Sequence, residues 1–161
     1  MPMLRRLKDK EAKGILREFV QHFPSSEATL RSAQIFDELI VHEGAVYFVD
    51  GKPLILRTKR GLLPSLKFDE LIQSLPHVVV DMGAVAHVAN GADLMRPGIR
   101  SFRAEFPKGD LLVIVDEKYS KPIALGIADL DSSAMKSAIK GKVIENIHYV
   151  GDEAWKSFAA V

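Results

Sequence analysis

Residues 80–99 read VDMGAVAHVANGADLMRPGI, and they carry the strongest structural signals in the chain. The apolar residues Val78–Val80 predict a strand that leads into this stretch, and Ala84–Ala89 predicts a short helix. Gly91 follows the helix at the place where a glycine with positive φ commonly ends one. The sequence Arg96-Pro97-Gly98 then predicts a tight turn. A strand, a short helix and a turn in quick succession indicate the opening of a compact domain.

The chain beyond this stretch alternates short apolar segments with turn residues. The strand-like segments are Phe102–Phe106, Leu111–Asp116, Ile123–Asp129 and Lys142–Val150, and the helix-like ones are Ser132–Ile139 and Asp152–Phe158. Several short strands around embedded helices predict a small barrel or a curled mixed sheet. We therefore expect this part of the chain to form a β pseudo-barrel with short helices.

The chain before residue 76 predicts a separate and smaller arrangement. Apolar residues at helical spacing predict an amphipathic helix over Lys8–Phe23. Strands are predicted at Ala33–His42, Ala45–Val49 and Pro53–Thr58, with a hairpin turn at Asp50–Gly51 and a short helix at Phe68–Leu75. We predict an α+β protein in which residues 1–75 form a small α/β domain of a helix and an antiparallel sheet. Residues 76–161 form the pseudo-barrel domain.

The residue types restrict the chemistry that the chain can perform. Because no cysteine occurs among the 161 residues, disulfides and thiolate metal sites are excluded. The histidines show no metal-ligand spacing, since the two nearest, His77 and His87, are ten residues apart. No serine lies in a Gly-x-Ser-x-Gly turn, and Gly83 lacks the further glycines and the lysine of a nucleotide site. We therefore expect no metal, no cofactor and no catalytic residues.

The hydropathy pattern predicts neither a membrane-spanning segment nor a secretory signal. The apolar runs are far shorter than the roughly 20 residues that cross a bilayer. The first ten residues are basic and lack the apolar block of a secretory signal. A cytoplasmic protein is expected.

Basic residues scarcely outnumber acidic ones, but they are clustered in the sequence. There are 22 lysines and arginines against 21 acidic residues, which gives a net charge of +1. The three clusters are Arg5, Arg6, Lys8, Lys10, Lys13 and Arg17; Arg57, Lys59, Arg60 and Lys67; and Arg96, Arg100, Arg103 and Lys108. A cluster of this kind is more often a solvated face than a binding surface, so its meaning depends on the fold around it.

Two separated motifs resemble those of one RNA-binding superfamily. Residues 80–99 resemble the PUA signature, in which a strand leads to a glycine, a short helix follows and a turn ends in Arg-Pro-Gly-Ile. Residues 144–152, IENIHYVGD, followed by Trp155, resemble the closing strand and helix of the malignant T-cell amplified sequence family and of the PUA part of the ligatin-type translation factors. The resemblance is strong over residues 76–158 and weaker over residues 1–75, and it suggests an archaeal-type member.

The resemblance implies which residues form an RNA-binding platform. PUA domains bind structured RNA through the glycine-containing turn, the helix after it and a neighbouring strand. The matching positions are Gly83, Ala84, His87, Asn90, Gly91, Arg96 and Pro97, with Arg100 and Lys121 nearby in the sequence. Gly83 would let RNA come close because it has no Cβ, and Arg96 and Arg100 are suited to bidentate phosphate contacts.

The resemblance also implies a function and partners. Family members act in translation initiation, re-initiation or recycling and engage tRNA on the small ribosomal subunit, the eukaryotic ones with a density-regulated-protein partner. A non-enzymatic protein that binds tRNA or ribosomal RNA is therefore expected, with the small subunit and a translation factor as partners. Three alternatives stay open: an RNA-targeting subunit for RNA modification or ribosome assembly, a protein-interaction module without RNA contact, and an enzyme with a diverged N-terminal catalytic domain.

Several of the prominent residues also have structural explanations. Asp81 and Asp93 suit helix capping or turn bonding better than acid catalysis. His148 is expected to be a strand residue with a satisfied hydrogen bond. Trp155 and Phe158, together with Tyr149, are expected to pack the last helix onto the barrel.

Overall fold

The structure is a computed structural model that describes residues 3–160. The described chain divides into two compact units. The first contains the residues up to Ile72 together with those from Glu153 onward, and the second is Gln73–Asp152. The ends of the two predicted domains, residues 1, 2 and 161, lie outside the described residues.

The first unit is built on a five-stranded antiparallel sheet in the order β1-β2-β3-β4-β5. Its strands are β1 (Leu4–Arg6), β2 (Phe36–Val41), β3 (Gly44–Val49), β4 (Lys52–Thr58) and β5 (Gly61–Pro64). Along β3, Tyr47 lies in one hydrophobic cluster, and its neighbours Val46 and Phe48 lie in another. Because successive side chains of a strand point to opposite faces, this sheet buries both faces.

Three helices supply the apolar side chains on the first face of this sheet. They are α1 (Asp9–His22), α2 (Glu27–Arg31) and α3 (Asp69–Ser74). Phe19 of α1 is fully buried, and its ring stacks on that of Phe68 with the centroids 6.0 Å apart. Leu30 of α2 and Leu71 of α3 belong to the same cluster. The amphipathic pattern of α1 is therefore explained by burial against the sheet.

The second unit is a six-stranded mixed sheet in the order β7-β11-β10-β9-β6-β8. Its strands are β6 (His77–Val80), β7 (Leu94–Met95), β8 (Ile99–Phe102), β9 (Leu111–Asp116), β10 (Pro122–Ala128) and β11 (Lys142–Tyr149), with helices α4 (Met82–Val88) and α5 (Ser132–Ser137). Strands β6 and β9 pair in parallel, and the other pairs are antiparallel. A curled mixed sheet with short helices confirms the predicted α+β class.

The last helix, α6 (Glu153–Ser157), belongs to the first unit. Ala154 and the following Phe158 pack against the second face of the five-stranded sheet. The Trp155 ring lies 5.6 Å from that of Phe158, and the Lys67 ammonium lies over it at 4.5 Å. The expectation that Phe158 packs onto the barrel is therefore wrong, because the sheet of the first unit has a second apolar face to cover. Tyr149, in contrast, packs against the barrel core.

Three further elements differ from those that the sequence predicts. A strand was expected at Phe102–Phe106, but β8 ends at Phe102 and begins at Ile99, where it pairs with Val80 of β6. Strand β1 has three residues, too few for a periodic signal. Strand β5 ends in Pro64, and proline argues against a strand except at a sheet edge, which is where β5 lies.

Two glycines give opposite predictions for stability. A Cβ on Gly44 would lie 2.0 Å from the carbonyl oxygen of Arg57 on the neighbouring strand. Gly44→Ala is expected to lower the free energy of unfolding by about 1–3 kcal/mol, as overpacking of a filled site does. Gly14 lies inside α1 with nothing within 4 Å of the added Cβ, so Gly14→Ala is expected to raise it by about 0.5–1 kcal/mol.

Urea unfolding of the wild type and both variants checks this pair. Since both substitutions add the same methyl group, only its surroundings differ. A Gly44→Ala protein as stable as the wild type would contradict the close approach of the two strands.

Candidate functional site

The junction between β6 and α4 is held by Asp81. Its Oδ1 accepts a hydrogen bond from the backbone N–H of Ala84 at 2.8 Å, which caps the helix as expected. Its own N–H donates to the carbonyl of Gly98 at 2.9 Å. A Cβ on Gly98 would lie only 2.7 Å from the Ala84 Cβ. The turn at residues 96–98 therefore packs directly on the first turn of α4.

The loop after α4 is held by residues of the second motif. The side-chain amide of Asn146 donates to the carbonyls of Val88 and Ala92, each at 3.1 Å. Its backbone N–H donates to Asp93 Oδ1 at 2.9 Å, in the bonding role expected for that carboxylate. Gly91 has φ +91°, and a Cβ there would lie 3.0 Å from the Tyr149 hydroxyl. The two motifs quoted from the sequence are thus two halves of one assembly.

The end of β11 is fixed by a buried histidine. His148 is 1% exposed, and its Nδ1 lies 2.8 Å from Asp152 Oδ2. The same carboxylate oxygen accepts a hydrogen bond from the backbone N–H of Tyr149 at 3.0 Å. His148 is therefore a strand residue with a satisfied hydrogen bond, as the sequence predicts.

A cleft of about 610 Å³ lies beside α4. Its wall is mainly apolar and includes Ala84 and Val88 of α4, Leu94 and Met95 of β7, and Pro97. The polar groups at the cleft include His87, Asp93 and Lys142. Clefts of roughly 300–1,000 Å³ with apolar walls and few polar groups commonly bind small molecules or single chemical groups.

The structure brings most of the expected platform residues to this helix and cleft. Ala84, His87 and Pro97 line the cleft. Gly83 is exposed on the first turn of α4, and Asn90 is exposed after its last turn, with its side-chain amide donating to a helix carbonyl. Gly91 lies in the loop held by the second motif. Their contact with RNA stays a prediction.

Arg96 is engaged by the protein itself. Its Nε donates to the Met135 carbonyl at 2.8 Å and its Nη2 to the Lys136 carbonyl at 3.3 Å, at the end of α5. Nη1 donates to the Ile99 carbonyl at 3.4 Å, and the guanidinium lies 5.5 Å from the centre of the Phe102 ring. These contacts give Arg96 a structural role that its place in the sequence motif did not indicate.

Arg100 and Lys121 lie elsewhere, at the turn between β9 and β10. Arg100 is exposed on β8, with its Nε 3.2 Å from Glu117 Oε2 in that turn. Asp116 shapes the turn: its Oδ1 accepts from the Tyr119 N–H at 2.5 Å and its Oδ2 from the Lys121 N–H at 3.2 Å. These bonds, the Tyr119 one foremost, lower the pKa of Asp116 below its ordinary value. An aspartate at the end of an apolar strand was the available signal for this turn.

Two arginines of the first basic cluster are paired with acidic groups. The Arg5 guanidinium lies 2.9 Å from Glu11 and 3.0 Å from Glu38, and Arg6 lies 2.7 Å from Asp37. Lys10, Lys13 and Arg17 of α1 are exposed. In the part of the chain that the structure describes, no three or more His, Cys, Asp or Glu side chains group as metal ligands. None of the described helices is long and apolar enough to span a membrane.

Comparison with known proteins identifies relatives over most of the chain. A family model described as PUA domain matches residues 76–150. The chain is 36% identical over 152 residues to the uncharacterized protein MJ1432 of Methanocaldococcus jannaschii, covering 92% of this chain and 93% of that protein. It is 32% identical over 164 residues to Translation machinery-associated protein 20 of Saccharomyces cerevisiae, covering 93% and 90%. Malignant T-cell-amplified sequence 2 of Homo sapiens is 30% identical over 159 residues, covering 92% and 88%.

Arg96 and Arg100 have different hydrogen-bond partners, so their replacement is expected to affect stability differently. Arg96→Ala removes charged donors from three carbonyls, so it is expected to lower the free energy of unfolding by about 1.5–3 kcal/mol. Arg100→Ala removes one exposed ion pair and is expected to change it by less than about 1 kcal/mol. Chemical unfolding of both variants tests this. If Arg96→Ala were as stable as Arg100→Ala, the structural role of Arg96 would be refuted.

The turn held by Asp116 predicts a dependence of stability on pH. Because the folded-state pKa of Asp116 is lowered, its stabilising effect is present above the unfolded pKa and is lost as pH falls through the folded value. Asp116→Asn is expected to be less stable than the wild type at about pH 7, and the difference should shrink as pH falls below about 3.9, the ordinary pKa of an aspartate, towards the lowered folded-state pKa. Thermal unfolding across this range measures it, and a difference that does not vary with pH would contradict the assignment.

Proposed function

Because the chain belongs to the family of PUA-domain proteins that includes Translation machinery-associated protein 20 and the malignant T-cell-amplified sequence proteins, we propose that it binds tRNA or ribosomal RNA during translation. It acts in the cytoplasm on the small ribosomal subunit, at initiation, re-initiation or recycling. It does so by binding alone, without catalysing a reaction.

The cleft beside α4 is the observation that carries the proposal. A base pair in an A-form helix hides its edges, whereas an unpaired nucleotide at an RNA end can place its base in a pocket. The apolar wall formed by Val88, Leu94 and Met95 suits the faces of such a base, and His87 and Lys142 offer hydrogen-bonding groups to its edges or its phosphate. The bonds from Asn146 fix the loop that bounds this cleft, so it needs little ordering when RNA binds.

Exposed cations supply the contacts to phosphates. Arg100 and Lys121, which are near the platform residues in the sequence, are both exposed, together with Lys118 and Arg103. Lysine and arginine contacts to phosphates release condensed counterions, so the affinity is expected to fall as salt rises. Arg96 contributes to binding only indirectly, by holding α5 and the turn at residues 96–98.

The carboxylates at the cleft support a function without catalysis. Asp81 Oδ1 accepts the Ala84 amide, and Asp93 Oδ1 accepts the Asn146 amide. In each residue a carboxylate oxygen is engaged in fixing the backbone next to the cleft. Both residues therefore serve the shape of the cleft.

A matched pair of substitutions tests the cleft. Met95 is 51% exposed at the cleft, and Ile40 is 66% exposed on β2 of the other unit. Met95→Glu places a negative charge where RNA should enter and is expected to weaken RNA binding at least about tenfold, or about 1.4 kcal/mol. Ile40→Glu introduces the same negative charge at an exposed apolar position outside the cleft and is expected to alter affinity by less than about twofold.

Binding is measured to total tRNA, to tRNA that lacks its 3′ CCA end and to small ribosomal subunits, at two salt concentrations. Salt-sensitive binding that Met95→Glu weakens and Ile40→Glu does not would support the proposal. Loss of binding with the trimmed tRNA would assign the cleft to the acceptor end. If the wild type binds none of these at low salt, the proposed function is wrong.

A further inference from the structure

An exposed aromatic side chain lies at the tip of the turn between β9 and β10. Tyr119 is 73% exposed. Several large apolar side chains are exposed among the described residues, and Tyr119 is the aromatic one. The Lys118 ammonium lies over its ring at 5.3 Å from the ring centre. The three barrel aromatics Phe102, Phe106 and Tyr149, in contrast, pack against the core of the second unit. Tyr119 therefore has no role in the packing of that core.

The backbone beneath Tyr119 is fixed by hydrogen bonds. Asp116 is buried and accepts the backbone N–H groups of Tyr119 and Lys121. Ser120 has φ +54°, a left-handed conformation uncommon outside glycine, and its hydroxyl accepts from Arg103 Nη2 at 2.7 Å. Such a conformation persists where its surroundings determine it, as they do here. A rigid turn that exposes one aromatic ring presents that ring at little entropic cost to a ligand.

The charges around this ring are mostly positive. Lys118, Lys121, Arg100 and Arg103 are exposed, and Glu117, the exposed carboxylate of the turn, is paired with Arg100. The Asp116 carboxylate is buried beneath the turn. An aromatic ring among lysines and arginines suits a ligand with flat bases and negative phosphates.

The turn also adjoins the start of α4. The backbone N–H of Glu117 donates to the carbonyl of Val80 at 3.0 Å, and Val80 pairs with Asp116 in the parallel strands. Asp81, the next residue, caps α4 and lines the cleft. The turn and the cleft thus flank the same junction between strand and helix.

We propose that Tyr119 is a stacking platform for an unpaired RNA base and that Lys118 and Lys121 contact the phosphates on either side of that nucleotide. This inference rests on the proposed function, because it assigns a second contact for the same RNA. The Lys118 ammonium, which now lies over the ring, moves to a phosphate when the base stacks. Stacking does not depend on base identity, so the contact adds affinity for single strands without sequence preference.

Three substitutions at one position test the stacking. The probe is a labelled RNA hairpin with a short single-stranded tail, compared with the same hairpin without the tail. Tyr119→Ala is expected to weaken binding of the tailed hairpin by about 5- to 150-fold, the range for one aromatic–base stack. Tyr119→Phe keeps the ring and is expected to stay within about twofold of the wild type, and Tyr119→Leu should resemble Tyr119→Ala. None of them should change affinity for the blunt hairpin.

The phosphate contacts are tested separately, by the salt dependence of the affinity. Lys121→Ala is expected to reduce the slope of log affinity against log salt by about 0.7, the value for one phosphate of a single strand. Since the Asp116 bond reaches the backbone N–H of residue 121, this substitution leaves the turn in place. An unchanged slope would overturn the assignment of Lys121.

The outcomes separate this inference from the proposed function. If the wild type binds neither hairpin at low salt, the stacking inference fails, and the proposed function fails with it only if tRNA and small ribosomal subunits are not bound either. If the wild type binds and Met95→Glu weakens binding while Tyr119→Ala does not, the stacking inference alone fails. Equal weakening by Tyr119→Ala and Tyr119→Phe, or equal weakening on tailed and blunt hairpins, would also overturn it, since the ring would then not be stacking on an unpaired base.

Discussion

The second unit depends on the hydrogen bonds that Asn146 makes with the loop after α4. Its side-chain amide binds the carbonyls of Val88 and Ala92, and its backbone N–H binds Asp93. Val88 is buried, and a buried carbonyl requires a hydrogen-bond donor, so this residue of β11 helps to hold the end of α4 and the start of the loop in place. Because the loop bounds the cleft, the shape of the cleft is set from the strand beneath it.

This arrangement explains why two motifs far apart in the sequence occur together. Strand β11 lies next to β7 in the sheet, so residues 144–149 run beneath the segment that follows α4. Gly91 leaves the space that the Tyr149 hydroxyl fills, and Asp93 accepts the Asn146 amide. A change on either side would therefore require a compensating change on the other. The resemblance based on both motifs is confirmed by relatives that align over more than nine-tenths of the chain.

The sequence predicted those parts of the fold whose causes are local. Strand β9, Leu111–Asp116, is found with the predicted bounds because its apolar run ends at a turn-forming aspartate. Gly91 and Asp81 have the predicted roles because helix ends have characteristic residues. The position of α6 and the partners of Arg96 could not be predicted in this way, since each depends on a surface made by distant residues. An arginine in a motif looks the same whether it contacts phosphate or three carbonyls.

The distribution of charge reconciles a nearly neutral chain with RNA binding. The net charge of +1 hides a difference between regions. Arg5 and Arg6 are matched by carboxylates on neighbouring elements, whereas the turn between β9 and β10 exposes two lysines and one acidic side chain, with the exposed Arg100 and Arg103 beside it. Phosphates respond to the potential near the surface, because in physiological salt charges beyond about 8 Å are screened. A nearly neutral chain can therefore still carry a local excess of positive charge of the kind that RNA phosphates favour.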